Sequence, residues 1–274
     1  MESVVDGIRY AYATEGQKAT VVQDDSYQQL AEITIPATVV IGGKSLQVTA
    51  IGKLAFRDCS NLNKISLPIG LEKIGDDAFL RAGFTEITLP GSLKTIGKEA
   101  FWNCMIKTLT VPEGVTTIGE NAFAYMNELV YLELPKSLTK IDRRLIMGDN
   151  KLTSVATRNT DPSSISDLTF INSLDRDENG WVLTPSQATL YVPKGKLAVY
   201  QRLKGWNYFA EIKEMGEAGD SNNDGTVNKA DVVELVNAVI GNPSSTFFRA
   251  NADVNGDGRV DIADIVQLIS IIAK

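Results

Sequence analysis

Apolar residues recur in fixed columns through the middle of this 274-residue chain. Leu67-Pro68, Leu89-Pro90, Val111-Pro112 and Leu134-Pro135 place prolines 22, 22 and 23 residues apart. Six residues after each proline stands an isoleucine (Ile74, Ile96, Ile118, Ile141), and five further on comes Phe79, Phe101, Phe123 or Ile146. Three residues before each proline sits Ile65, Ile87, Leu109 or Leu132. A period in the low twenties with fixed apolar columns predicts a leucine-rich solenoid of mainly β character, in which each coil buries its apolar residues against its neighbours. The polar positions between them form outward columns. One runs Thr34, Ser66, Thr88, Thr110, Glu133, and its neighbour runs Glu32, Lys64, Glu86, Thr108, Tyr131. These columns read either as a solvated sheet of β-formers or as a flat, hydroxyl-rich patch for a protein or glycan, with Tyr131 and Tyr191 as its exposed aromatics.

The pattern departs at both ends, as terminal coils should. Near the N-terminus, DGIRYAYA alternates, EGQK turns and ATVV returns, predicting a β-hairpin cap within about 1–50. Gly42-Gly43 predicts a second small hairpin bulging from the first coil. The regular coils span about 51–157. An irregular stretch then leads from Arg158 to Gln187, followed by ATLYVPKGKLAVYQRLKGWNYFAEI, a closing strand and capping helix. Tyr200, Trp206 and Phe209 are placed to plug the open end of the core. The unit I-x-L-P-x-x-L-x-x-I-G-x-x-A-F, and KTIGKEAFWNC in particular, resembles the BspA-like (Treponema-type) leucine-rich repeat family over about residues 30–215.

The last fifth of the chain carries a second pattern. Asp220 to Asp231 reads DSNNDGTVNKAD, and Asp253 to Asp264 reads DVNGDGRVDIAD, 33 residues further on. A calcium ion takes six to eight oxygens at short range, and alternate residues of a tight, glycine-permitted turn supply them. The first loop offers Asp220, Asn222, Asp224, the carbonyl of Thr226, Asn228 and Asp231. The second offers Asp253, Asn255, Asp257, the carbonyl of Arg259, Asp261 and Asp264, so it holds four carboxylates against three. Two calcium ions are therefore expected. An apolar helical run follows each loop and no helical pattern leads into either, so the tail is expected to be a small α-helical domain of two loop–helix, EF-hand-like repeats. Residues 216–274 resemble the dockerin type I family, whose two loop–helix repeats pack around two calcium ions. The resemblance implies attachment to a cohesin-like module of another protein. It also implies recognition through positions 10 and 11 of each loop, here Lys229-Ala230 and Ile262-Ala263. Asp175 to Gly180 has a similar spacing without a closing carboxylate, and reads as a surface turn or as a weaker third metal site.

Two domains are thus expected, a repeat domain over 1–215 and a dockerin-like domain over 216–274. Residues 216–274 carry nine acids and four bases, a net charge of −5 within the chain's −7. The negative charge is concentrated where divalent cations would cancel it, and no basic patch suggests nucleic acid. The two cysteines, Cys59 and Cys104, fall in one column two coils apart. At the spacing of stacked strands their Cα atoms lie about 9.6 Å apart, beyond disulfide reach, so free buried thiols are expected. The chain has no histidine. That removes Ser-His-Asp and Cys-His pairs and His-ligated zinc, and no phosphate-cradling glycine loop is present, so the chain is read as not an enzyme. No transmembrane length or signal peptide is visible. Loops of this calcium class and both resemblances imply a secreted or cell-surface bacterial protein, expected to be a mature or trimmed form. The leading reading is non-catalytic protein–protein interaction or adhesion through the repeats to a host or bacterial surface protein, with the calcium-dependent tail attaching to another protein. The alternative is a tail that acts only as a calcium-stabilised cap on its own solenoid.

Overall fold

The computed structural model describes residues 1–274 apart from Ser164, Glu178, Asn179, Ser245, Thr246 and Gly258, and only the backbone of 174–177, 180 and 181. The chain is mostly β, with short helices gathered toward its C-terminus. The repeat period appears as parallel ladders. Lys44–Ile51, Lys73–Ile74, Thr95–Ile96, Thr117–Ile118 and Lys140–Ile141 pair in sequence order, so Ile51, Ile74, Ile96, Ile118 and Ile141 lie in register and point into one core. A second ladder joins Thr108–Thr110, Tyr131–Leu134, Ser154–Thr157, Gly180–Val192 and Phe209–Glu214, again all parallel. Glu32–Thr34 pairs with Lys64–Ser66, but residues 85–89 of the following coil, with Glu86 and Thr88, lie outside any ladder.

Between the ladders each coil makes a tight turn around its aromatic. Phe56, Phe79, Phe101 and Phe123 each donate their main-chain N–H to a carbonyl of the next coil, at 2.7, 2.9, 2.8 and 3.1 Å, so the backbone polar groups are satisfied without a strand. The turn places Leu54, Asp77, Glu99, Asn121 and Arg144 in the left-handed region two residues before the column, and Asp58, Arg81, Asn103 and Tyr125 there two residues after it. For residues other than glycine this costs about 1 kcal/mol each, so the packing of the column must offset it. The glycine of each Ile-Gly pair has a different role. A Cβ at Gly75, Gly97 or Gly119 would lie 2.7, 2.6 or 2.5 Å from main-chain atoms of the preceding coil. Glycine there lets the coils approach to ladder distance.

The aromatic column is continuous. Phe56–Phe79, Phe79–Phe101 and Phe101–Phe123 ring centroids are 5.5, 5.3 and 5.9 Å apart, and Tyr27 stacks beneath Phe56 at 5.0 Å. Phe56 is therefore an interior member, because the N-terminal segment supplies an aromatic that the repeat spacing does not flag. The expected N-terminal hairpin is present, extended by Glu2–Val5 into a three-stranded meander whose last strand, Lys18–Val21, pairs with Lys44–Ile51. Gly42 and Gly43, at φ 58° and 80°, close the second hairpin between Thr38–Ile41 and Lys44–Ile51. Cys59 and Cys104 are free and buried, and burial pushes their thiols up to about 11 and about 12.

The C-terminal end corrects the sequence reading. The stretch expected to be irregular holds a further coil: Arg144 and Leu145 donate to the carbonyls of Leu168 and Thr169, and Phe170 continues the buried core. The hairpin Ile171–Asp177 with Gly180–Val192 follows, and the Asp175–Gly180 turn lies outside the described residues at Glu178 and Asn179. The capping helix shrinks to one turn, α1 (Leu197–Tyr200). Gly205 at φ 82° makes the following turn, where a Cβ would meet Ile165 Cγ1 at 2.5 Å. Strand Phe209–Glu214 then closes the second ladder. Tyr200, Trp206 and Phe209 are buried as expected, with Phe170 packed 5.1 Å from Trp206 and 4.8 Å from Phe209.

The tail contains α2 (Lys229–Val239), α3 (Arg249–Ala252) and α4 (Ile262–Ile272), packed around its own core of Leu235, Ala252 and Leu268. The turn α3 leads directly into Asp253, which corrects the expectation that nothing helical precedes the loops.

Two consequences can be measured. Truncating Phe101 to alanine should cost about 3–5 kcal/mol, the range for a buried aromatic, in equilibrium denaturation; a melting point within a degree or two of the parent would show that the column is not core. Asp149 is buried, and burial pushes its carboxyl well above the ordinary value, opposed only by the Met126 N–H that it accepts at 2.7 Å. The folded protein thus keeps this proton to higher pH than the unfolded chain. The associated stability is complete below the unfolded value of about 3.9 and is lost as pH rises toward the folded one. Asp149→Asn, which still accepts from Met126, should melt higher than the parent at pH 7 and show a flatter pH dependence between pH 4 and 7. Equal slopes in thermal melts across that range would contradict the assignment.

Candidate functional site

The two loops close onto the helices that follow them. Asn228 and Asp261 are the N-caps of α2 and α4 and accept from the N–H groups of Ala230 and Ala263, both at 2.8 Å. The twelfth loop residues, Asp231 and Asp264, complete capping boxes by accepting from Asn228 and Asp261 N–H at 2.8 and 2.9 Å. Each also reaches back across its loop, Asp231 to Asn222 N–H at 3.1 Å and Asp264 to Val254 and Asn255 N–H at 2.8 and 3.1 Å. One carboxylate therefore holds the helix start and the loop start together, which accounts for aspartate at this position in both loops.

The first loop residues are matched in the same way. Asp220 accepts from Asp224 and Gly225 N–H at 2.9 and 3.0 Å, and Asp253 from Gly256 and Asp257 N–H at 2.8 and 3.1 Å. Asn222 and Asn255 accept from Asp224 and Asp257 N–H at 3.0 and 2.8 Å, so the third position repeats as well. At the fifth, Asp224 and Asp257 accept from Thr226 and Arg259 N–H, both at 2.9 Å. The Thr226 hydroxyl and N–H, with the Asn222 amide, hold the Asp224 carboxyl below its ordinary value. Gly225 has φ 89° with open space around a notional Cβ, while its counterpart Gly258 lies outside the described residues.

Asp220, Asp231, Asp253 and Asp264 are all buried. Neutral N–H donors orient these carboxylates without supplying charge, and a buried carboxylate is costly without a countercharge. Among the described residues no three acidic, histidine or cysteine side chains already converge as a cage. The remaining donors would be amide oxygens and the carbonyls of Thr226 and Arg259. An all-oxygen set of this kind suits a hard divalent cation such as calcium and not zinc.

The residues named for partner recognition sit at the helix starts. Lys229, Ala230, Ile262 and Ala263 are all exposed, Ile262 by 70 %. The outward columns of the repeat region stay exposed or half-buried as far as Thr110 and are covered beyond it. Tyr131 and Glu133 are buried, correcting their reading as exposed positions, because the tail covers them. Tyr131, Ala156 and Ala250 form one buried cluster with Tyr191, Met215 and Phe248 against it. Tyr191 meets Phe248 edge-on at 4.5 Å, and the Arg249 guanidinium lies 5.9 Å from the Tyr131 ring centre. Arg158 joins Glu133 at 2.7 Å, the carbonyl of Ala250 at 3.2 Å and Asp253 at 3.5 Å. Beside this seam lies a cleft of about 320 Å³ lined in part by Thr108, Val130, Phe247 and Val260. Sequence reasoning missed Arg158 and Phe248, since neither belongs to a repeat column or a loop frame.

Residues 49–175 match the model of the BspA type leucine rich repeat region in six copies, and residues 218–273 match the dockerin type I domain. The chain therefore joins a BspA-type leucine-rich repeat region to a dockerin type I domain, a kind of domain that binds calcium and a protein partner. Among solved structures it is similar to a leucine-rich repeat protein from Bacteroides ovatus, at 20 % identity, 78 % of this chain, 76 % of that one and a TM-score of 0.45. A T. pallidum leucine-rich repeat protein matches at 22 % identity, 57 % and 81 % coverage and 0.47. A leucine-rich cell surface protein from Faecalibacterium prausnitzii matches at 18 %, 78 % and 70 %, and 0.41. No curated protein matches the chain.

Proposed function

We propose that this is a non-catalytic, secreted or surface-exposed bacterial interaction protein whose solenoid of repeats, about 1–215, presents a binding face and whose EF-hand-like tail, 216–274, attaches it to another protein when loaded with two calcium ions. The ions are held by Asp220, Asn222, Asp224, Thr226, Asn228 and Asp231, and by Asp253, Asn255, Asp257, Arg259, Asp261 and Asp264. The observation that carries this reading is the pair of loops with buried acids at both their first and twelfth positions. Calcium supplies the charge that their N–H donors do not.

The partner surface is the exposed apolar side of α2 and α4. Val233 on α2 and Ile240 at its C-cap, and Ile262, Val266 and Ile269 on α4, face away from the tail's core. Ile262 beside Ala263 supplies an apolar anchor, whereas Lys229 beside Ala230 lies on a polar rim. A cohesin-like module fits such a surface, and the unlike ends favour a single binding orientation. Among the described residues no helix is long and apolar enough to cross a membrane. A second reading draws on the seam at Tyr131 and Phe248, where the tail acts as a calcium-stabilised cap on its own solenoid. The two are compatible, because the seam uses α3 and the apolar stripe uses the other helices.

Chelation should open the first loop and α2, residues 220–239, to protease while the solenoid resists, because a unit of this size has little core of its own. A tail equally resistant with and without calcium in limited proteolysis would rule the reading out. For the partner surface, Ile262→Glu should weaken capture of a cohesin-like module by roughly tenfold or more, as expected for an anchor, and Lys229→Glu should change it by less than about threefold. Equal losses in a binding titration would remove the single-orientation assignment.

A further inference from the structure

The second loop differs from the first in what faces its first carboxylate. Asp220 makes no ion pair among the described residues, only hydrogen bonds within the tail. Asp253 turns one oxygen to Gly256 and Asp257 N–H and the other toward the Arg158 guanidinium at 3.5 Å. Arg158 belongs to the repeat region, 95 residues earlier in the chain. It is itself fixed by Glu133 at 2.7 Å, and Glu133 accepts from the Tyr131 hydroxyl at 3.0 Å. Burial of Glu133 and Asp253 makes these charges costly to separate.

We propose that Arg158 is a resident countercharge for the second loop: the repeat region supplies to Asp253 the positive charge that calcium would otherwise supply, so the second loop stays formed on the repeats in the calcium-free protein while the first does not. The inference rests on the calcium reading above and adds the means by which the repeats regulate one of the two sites. Several placements serve it together. The Ala250 carbonyl accepts from the same guanidinium, which fixes the last turn before Asp253. Phe248 packs on Tyr191, and Arg249 on Tyr131, so the whole approach to the loop is seated. Among the described residues nothing equivalent seats residues 222–229, whose hydrogen bonds stay within the tail. A carboxylate already paired with a fixed cation gains less from a second one. The second loop should therefore depend less on calcium for its order than its four carboxylates suggest.

Hydrogen exchange on the full chain tests this, with calorimetric calcium uptake measured in parallel. In chelator, amides of 249–264 should keep protection that those of 220–231 lose. Neutralising the pair together, as Glu133→Gln with Arg158→Gln, avoids leaving one buried charge alone. In chelator that variant should lower protection of 249–264 by roughly tenfold or more, while saturating calcium restores it to the parent's level. Arg158→Lys, which keeps the charge, should retain most of the protection. The inference is overturned if both loops lose protection together in the parent, or if the double variant matches the parent in chelator. A chain that takes up no calcium in calorimetry would instead overturn the functional reading, and this inference with it.

Discussion

Each coil of the repeat region can bury its aromatic only against the aromatics of the coils beside it, and everything else in that region follows from making this approach close enough. Main-chain bonds from Phe56, Phe79, Phe101 and Phe123 to the next coil draw the turns together, and glycines at 75, 97 and 119 remove the Cβ that would hold them apart. The turn that results puts ordinary residues in the left-handed region twice per coil. Such strain persists only because the stack over-determines it. A column of this kind has two open ends, and each needs an aromatic from outside the repeat: Tyr27 at one, and Trp206 and Phe209, packed on Phe170 of the last coil, at the other.

The tail solves a different problem. Its core is small, and its loops bury acids, so order depends on charge compensation more than on apolar area. Aspartate at the twelfth position ties each loop to the helix it starts, so loop and helix form or fail as one unit. The seam then joins the two regions through an aromatic contact and a three-membered charge group, Glu133, Arg158 and Asp253. A residue of the repeat face and a residue of the cation loop thereby share one electrostatic site, which couples the order of the tail to its seat on the repeats.

Much of this was legible in the chain itself. The spacing of Pro68, Pro90, Pro112 and Pro135, and of the isoleucines and phenylalanines behind them, determined the ladders and the buried column, because a short period in contact with itself admits one register. The loop frames marked the two turns that open α2 and α4, and the twin glycines at 42 and 43 the hairpin. Free cysteines followed from the coil spacing alone. What tertiary structure decided involves residues with no partner of their own kind nearby in sequence. Tyr27 joins the column by a long-range return, Phe170 extends it after a broken period, and α1 ends where Gly205 must pass Ile165. Tyr131 and Glu133 look like exposed members of a polar column, yet they are buried because residues 248–253 fold onto them. Local pattern specifies which face of a strand points outward. Only the packing of distant segments decides whether that face meets water or another part of the same chain.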